Sequence, residues 1–272
     1  MCNKKKEQLI MIKEEREGMS NITYGLEDMV AVVTGGSRGI GLEITKYLLQ
    51  EKAKVVVCGR KQEGLDAAVS LLGGGDNLFA VQTHIVKESD VENLFDAAVE
   101  RYGKLDILIN NVGMNLPTKS VADTDLTVWN KIIEGNLTGT FLCSRKAAGI
   151  MKKNKHGKII NISSVAGTKA SPGMGIYGIA KAGVEMLTKV LAVELASFNI
   201  QVNTVAPGLV RTDFSKPFWS NQAIYEQIIK SIPAGRIAEP ADVVYPVLFL
   251  CSQHSDYITG HTITVSGGSA VM

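Results

Sequence analysis

Short apolar runs rich in β-branched residues recur along the chain. Between them lie stretches whose apolar positions return every three or four residues. The runs Val30–Thr34, Lys54–Cys58, Leu78–Gln82, Ile107–Asn110, Lys158–Ile162, Gln201–Val205 and Thr262–Val265 have the length and composition of strands. Val30-Ala-Val-Val is apolar at successive positions, as expected of a strand buried on both faces. The intervening pattern predicts helices near Ile40–Gln50, Gly64–Leu72, Asp90–Tyr102, Leu126–Met151, Tyr177–Ser197 and Ala241–Cys251. Regular alternation with helical crossovers predicts an α/β protein with a doubly wound, seven-stranded parallel sheet and helices on both faces. Ligands of such sheets bind beyond the carboxyl ends of the strands, where the winding reverses.

The residues just past those strand ends carry the chemistry. Gly35-Gly-Ser-Arg-Gly39-Ile-Gly41 follows the first strand directly and opens the first helix. Gly35 permits a tight turn, Gly39 lets a pyrophosphate approach the backbone, and Gly41 lets the helix pack on the sheet. The helix N-terminus then faces phosphate. Strand, glycine turn and helix in this order predict a single Rossmann-type domain, with Gly35, Ser37, Arg38, Gly39, Ile40 and Gly41 as candidate dinucleotide contacts. A glycine-rich turn without a ligand is the plainer alternative.

A second constellation lies further on. Tyr177 and Lys181 are four residues apart on a predicted helix, so they share a face, and Ser164 lies thirteen residues upstream of Tyr177. A free phenol has a pKa of about 10, too high for efficient proton exchange at neutral pH. One ammonium about 4 Å away supplies roughly 4 kcal/mol at an effective dielectric near 20, enough to bring the phenol to about 7. Lys181 is thus expected to activate Tyr177, and Ser164 to hold the oxygen that Tyr177 protonates. A surface pair of helix residues would show the same spacing.

Taken in order, Thr34-Gly-x-x-x-Gly-Ile-Gly41, Asn110-Asn-Val-Gly113, Asn136, Ser164, Tyr177-x-x-x-Lys181 and Pro207-Gly208 resemble the short-chain dehydrogenase/reductase family over residues 24–272. Trp129 through Asn136 and Met151 through Lys158 resemble the 3-oxoacyl-[acyl-carrier-protein] reductases within it. The resemblance implies roles. Tyr177 is general acid in ketone reduction and base in alcohol oxidation. Lys181 lowers its pKa and binds the nicotinamide ribose, Ser164 polarises the substrate oxygen, and Asn136 keeps a proton path open to Lys181. Asn111, Pro207, Gly208 and Val210 join the cofactor contacts. Relatives carry Asp-Val after the third strand, where this chain has His84-Ile85, so His84 and the Ile85 amide are expected at the adenine edge. Ser163 is expected to face away from the site.

The second strand ends Val57-Cys-Gly-Arg60-Lys61, without the carboxylate that holds the ribose hydroxyls of NAD. Arg38 and Arg60 suit a phosphate through forked hydrogen bonds, so NADP(H) is expected over NAD(H). If both arginines are merely solvated, that preference disappears.

Charge and cysteines narrow the picture. A net charge of +2 gives no signal for nucleic acid or an anionic membrane. Cys2, Cys58, Cys143 and Cys251 are scattered without zinc spacing, and no metal is expected. No apolar stretch reaches membrane-span length, and the expected location is cytoplasmic. Residues 1–23 read as a disordered N-terminal extension, with Met19 as an alternative start of a domain over 24–272.

Residues 209–235 are expected to form a substrate lid mixing aromatic and polar side chains, which suits an apolar substrate. The candidate activity is hydride transfer between NADP(H) and a carbonyl or alcohol, such as a 3-oxoacyl thioester. A small free ketone or sugar acid is the alternative substrate, and a non-catalytic dinucleotide-binding regulator the alternative class. Lys152, Lys153 and Lys155 could meet an acyl-carrier protein, but Ala196-Ser-Phe-Asn199 lacks the second basic residue such reductases carry. The resemblance also implies a homotetramer paired through Val184–Val193 and Ile258–Met272.

Overall fold

A computed structural model describes residues 23–116, 118–170 and 173–271. The extension expected over 1–23 lies outside the described residues except for Thr23. The sheet holds seven strands: β1 (Val30–Thr34), β2 (Lys54–Gly59), β3 (Leu78–Gln82), β4 (Ile107–Asn110), β5 (Gly157–Ile162), β6 (Ile200–Pro207) and β7 (Thr262–Val265). Their order is β3-β2-β1-β4-β5-β6-β7, parallel throughout. The helices are α1 (Gly39–Gln50), α2 (Gln62–Leu71), α3 (Glu88–Tyr102), α4 (Leu126–Ile133), α5 (Gly139–Asn154), α6 (Gly175–Leu195), α7 (Lys216–Trp219), α8 (Gln222–Lys230) and α9 (Pro240–Cys251).

Alternation along the strands divides the core into two layers. Ala31, Val33, Val55 and Val57 pack with Ile44 and Leu48 of α1 and Val244 and Leu248 of α9. Val32, Val56 and Leu108 point the other way, against Leu94 and Phe95 of α3 and Cys143 and Ala147 of α5. A sheet apolar on both faces needs helices on both, and this is why the strands read as continuous apolar runs. The chain winds outward from β1 to β3 and then returns to place β4 on the other side of β1. The reversal puts the loops after β1 and β4 on opposite walls of one crevice.

The polar residues buried in this core are paired with each other. Asn110 at the end of β4 donates to Ser144 of α5 (2.9 Å) and to Asn161 of β5 (2.8 Å). Asn161 donates to Thr188 of α6 (2.8 Å), which lies 2.7 Å from Thr204 of β6. The ladder ties α5 and α6 to the sheet beneath the crevice, in a dry interior where such bonds fix one arrangement.

Candidate active site

The glycine loop leaves no room for side chains. Gly35 and Gly39 have φ of +66° and +55°, the left-handed region that glycine enters freely. A Cβ on Gly41 would lie 2.3 Å from the Gly35 carbonyl oxygen and 2.5 Å from Asn111 Nδ2. Asn111 fastens this turn, donating from Nδ2 to the carbonyls of Thr34 (3.0 Å) and Gly35 (3.2 Å). Thr34 Oγ1 accepts in return from the amides of Asn111 and Val112. The N-cap of α1 is Arg38, whose side chain caps nothing, and no acid stands in the first turn. Free N–H groups, a positive helix end and a backbone stripped of side chains fit a pyrophosphate.

The rest of the nucleotide wall is polar and cationic. Arg38 and Arg60 are exposed and enter no ion pair among the described residues. Ser37 Oγ lies against Gly59 at the end of β2. His84 donates its amide to Asp90 (2.9 Å), while its ring Nδ1 is buried without a partner among the described residues. An orphaned ring nitrogen suits an edge group awaiting a ligand. Ile85 is buried against Gly139, leaving its side chain a packing role.

The loop after β5 and the start of α6 bring the second constellation together. Ser164 ends β5's exit and caps a single helical turn over Val165–Gly167, accepting from the Ala166 amide. Its hydroxyl stands close enough to the Tyr177 phenol to favour the phenolate. Tyr177 and Lys181 lie on the first turns of α6 and are 8% and 3% exposed. Lys181 Nζ sits 5.6 Å from the centre of the Tyr177 ring and donates to the Ile162 carbonyl at 2.8 Å.

The electrostatics differ from the expectation that Lys181 depresses Tyr177. Burial pushes the Tyr177 phenol up to about 12, with the Ser164 hydrogen bond pulling the other way. Burial also brings Lys181 down to about 8. A dry environment disfavours the charged form of each group, and burial is the largest influence on both.

Asn136 is fully buried in a π-helical segment, Glu134–Thr138, between α4 and α5. Its Nδ2 donates to the carbonyls of Ile132 (2.7 Å) and Met114 (2.8 Å), and its Oδ1 accepts from the Met114 amide. A Cβ on Gly113 would stand 3.2 Å from Asn136 Oδ1 and 3.4 Å from Lys181 Nζ. Gly113 thus lets the two polar groups approach one place. The widened turn supplies what a poor helix former needs, and single π turns recur at functional sites. The sequence predicted an unbroken helix here; only the misplaced asparagine hinted at the bulge.

Ser163 faces α6 as expected, away from Tyr177. Pro207 ends β6, the Gly208 amide donates to the Val265 carbonyl, and buried Val210 bridges to Ala238. The segment 209–235 contains α7 and α8, and its Thr212 side chain lies against Gly39 of the glycine loop. Phe214 stands 6.2 Å from the Tyr177 ring. Arg211 stacks on Trp219 and Tyr225 at 5.1 and 5.8 Å and pairs with Glu239, anchoring the lid in a way the sequence did not signal.

A glycine cradle at the switch point beside a Ser–Tyr–Lys–Asn cluster defines an oxidoreductase that works with a nicotinamide dinucleotide. The family described as "Enoyl-(Acyl carrier protein) reductase" matches residues 35–270. The chain is 40% identical to pig "Dehydrogenase/reductase SDR family member 4", over 90% of this chain and 88% of that one. It is 38% identical to a 3-oxoacyl-[acyl-carrier-protein] reductase of Synechocystis sp., over 89% and 97%. A putative gluconate dehydrogenase from Agrobacterium tumefaciens superposes with a TM-score of 0.87 at 30% identity, covering 93% of this chain and 100% of that one. The chain belongs to the short-chain dehydrogenase/reductase family.

Proposed function

We propose that this protein is an NADP(H)-dependent carbonyl reductase whose substrate class is a 3-oxoacyl thioester or a similar apolar ketone. The observation that carries the reading is the buried Tyr177 with the Ser164 hydroxyl beside its phenol, Lys181 one turn along α6, and Asn136 and Lys181 converging on Gly113. NADP(H), when bound, supplies or accepts the hydride. Gly35 through Gly41 hold its pyrophosphate, and Arg38 and Arg60 take its 2′-phosphate. Ser164 orients the substrate oxygen and Tyr177 gives it a proton. An alkoxide is far more basic than a phenol with a pKa of about 12, so donation from Tyr177 runs downhill. Lys181, near 8, restores the proton, and Asn136 holds the path that reaches it.

The lid supports the apolar substrate class, since Phe214 is exposed beside Tyr177. Exposed Lys152, Lys153 and Lys155 at the end of α5 offer a surface to an acyl-carrier protein. Ile179, Met186, Val190 and Val193 leave an apolar stripe on α6, which fits a homotetramer paired through that helix. Buried free thiols at Cys58, Cys143 and Cys251 suit a cytoplasmic location. The cofactor reading is tested by titrating NADPH and NADH against the purified protein. Tighter binding of NADPH by at least about tenfold is expected; equal affinity overturns the preference.

A further inference from the structure

Glu185 is a buried carboxyl on α6, one turn beyond Lys181, and the proposed reaction gives it no task. It touches the loop that carries Ser164. Ser163 Oγ lies 3.0 Å from Glu185 Oε1 and 3.2 Å from the Lys181 carbonyl oxygen. Gly167, at the far end of the same loop, is equally close: a Cβ there would stand 3.0 Å from Glu185 Oε1 and 3.0 Å from the Ala182 amide. Both ends of the turn 163–167 therefore rest on the stretch of α6 between Lys181 and Glu185.

Ser163 faces two oxygens, and its single proton limits what it can give them. A serine hydroxyl has one proton and two acceptor lone pairs. The carbonyl of Lys181 only accepts, and an ionised carboxylate only accepts. Ser163 cannot donate a full bond to both. If Glu185 carries a proton, it donates to Ser163 Oγ, and Ser163 donates to the Lys181 carbonyl. Both bonds are then complete. Burial raises the Glu185 pKa; the Ser163 hydrogen bond and then the charge of Lys189, a turn further along the helix, pull it back without cancelling that rise.

We propose that Glu185, in its neutral and proton-donating form, is a positioning residue: through Ser163 it fixes the loop carrying Ser164 against the turn of α6 that carries Lys181. Ser164 and Tyr177 arrive from different elements, and their hydrogen bond depends on how those elements dock. The Glu185–Ser163 contact is the side-chain bond that sets this docking on the side away from the substrate. The inference rests on the reductase reading for its effect on rate, and stands apart from it for its effect on structure.

Glutamine keeps the donor, so Glu185→Gln should turn over at close to the wild-type rate. Glu185→Leu removes it, and kcat should fall about 10- to 100-fold with the affinity for NADPH unchanged, as displacement of a reacting group produces. Ser163→Ala should lose as much, and the double variant Ser163→Ala/Glu185→Leu no more than either single one. Amide exchange over 163–167 should quicken in Glu185→Leu and stay at the wild-type rate in Glu185→Gln. An infrared difference spectrum of wild type against Glu185→Gln at neutral pH should show a protonated carboxyl band. Equal impairment of the Gln and Leu variants, or wild-type kcat and exchange in the Leu variant, overturns the proposal. Absence of the carboxyl band overturns the proton assignment. If wild type turns over no carbonyl substrate, the reductase reading fails, and exchange and the infrared band still decide the role of Glu185.

Discussion

The two ends of the crevice are built on opposite terms. At the glycine-loop end, Arg38 and Arg60 are exposed to water. At the catalytic end, Tyr177 and Lys181 are buried, and the same burial moves one pKa up to about 12 and the other down to about 8. A solvated guanidinium costs little in folding. A buried amine is held at the expense of stability. Recognition here is assigned to the wet end and proton transfer to the dry one, where hydrogen bonds and charges act with greater force.

The sharpest way to break this contrast is at the dry end. Tyr177→Phe should lower kcat about 10²- to 10⁴-fold while NADPH still binds, because the proton donor alone is removed. Ser164→Ala should cost about 10²- to 10³-fold in kcat, the loss of one donor to the reacting oxygen. At the wet end, Arg60→Ala should weaken NADPH about 10- to 150-fold, the equivalent of roughly 1.5–3 kcal/mol, and leave NADH nearly unchanged. Its melting temperature should match wild type.

Lys181 ties function to stability. Its folded pKa of about 8 lies below the ordinary 10.5, so the unfolded chain binds the proton more tightly over that range. Folding stability from this group therefore rises as pH climbs from about 8 toward 10.5. Lys181→Met should lose turnover yet melt no lower than wild type, and calorimetry reads this directly. The smallest effect is in the pH profile. Carbonyl reduction should decline a few-fold above pH about 8 as Lys181 loses its proton, while alcohol oxidation rises over the same interval.

The contrast also explains what was legible in the sequence. β1, β3, β4 and β7 have the bounds their runs predicted; for β1 and β4 the reason is that a doubly covered parallel strand is buried along its whole length. Gly35, Gly41 and Asn111 were legible because only particular residues fit a turn so tight. Helices α7 and α8 were not, since α7 is a single turn of four residues containing Pro217 and α8 runs for only nine. The π segment at Asn136 was hidden inside a longer helical periodicity. The direction of the Tyr177 shift was misread for a single reason. Sequence spacing places Lys181 one turn away but does not show the burial, and burial raises the phenol.

The central claim is that the dry cluster reduces a carbonyl. It is tested most directly by following NADPH absorbance while the purified protein meets a panel of an acetoacetyl thioester, small free ketones and keto acids at neutral pH. The account predicts NADPH oxidation with the thioester or an apolar ketone, dependent on Tyr177. Tight NADPH binding with no turnover of any member would contradict it and mark the protein as a dinucleotide-binding regulator.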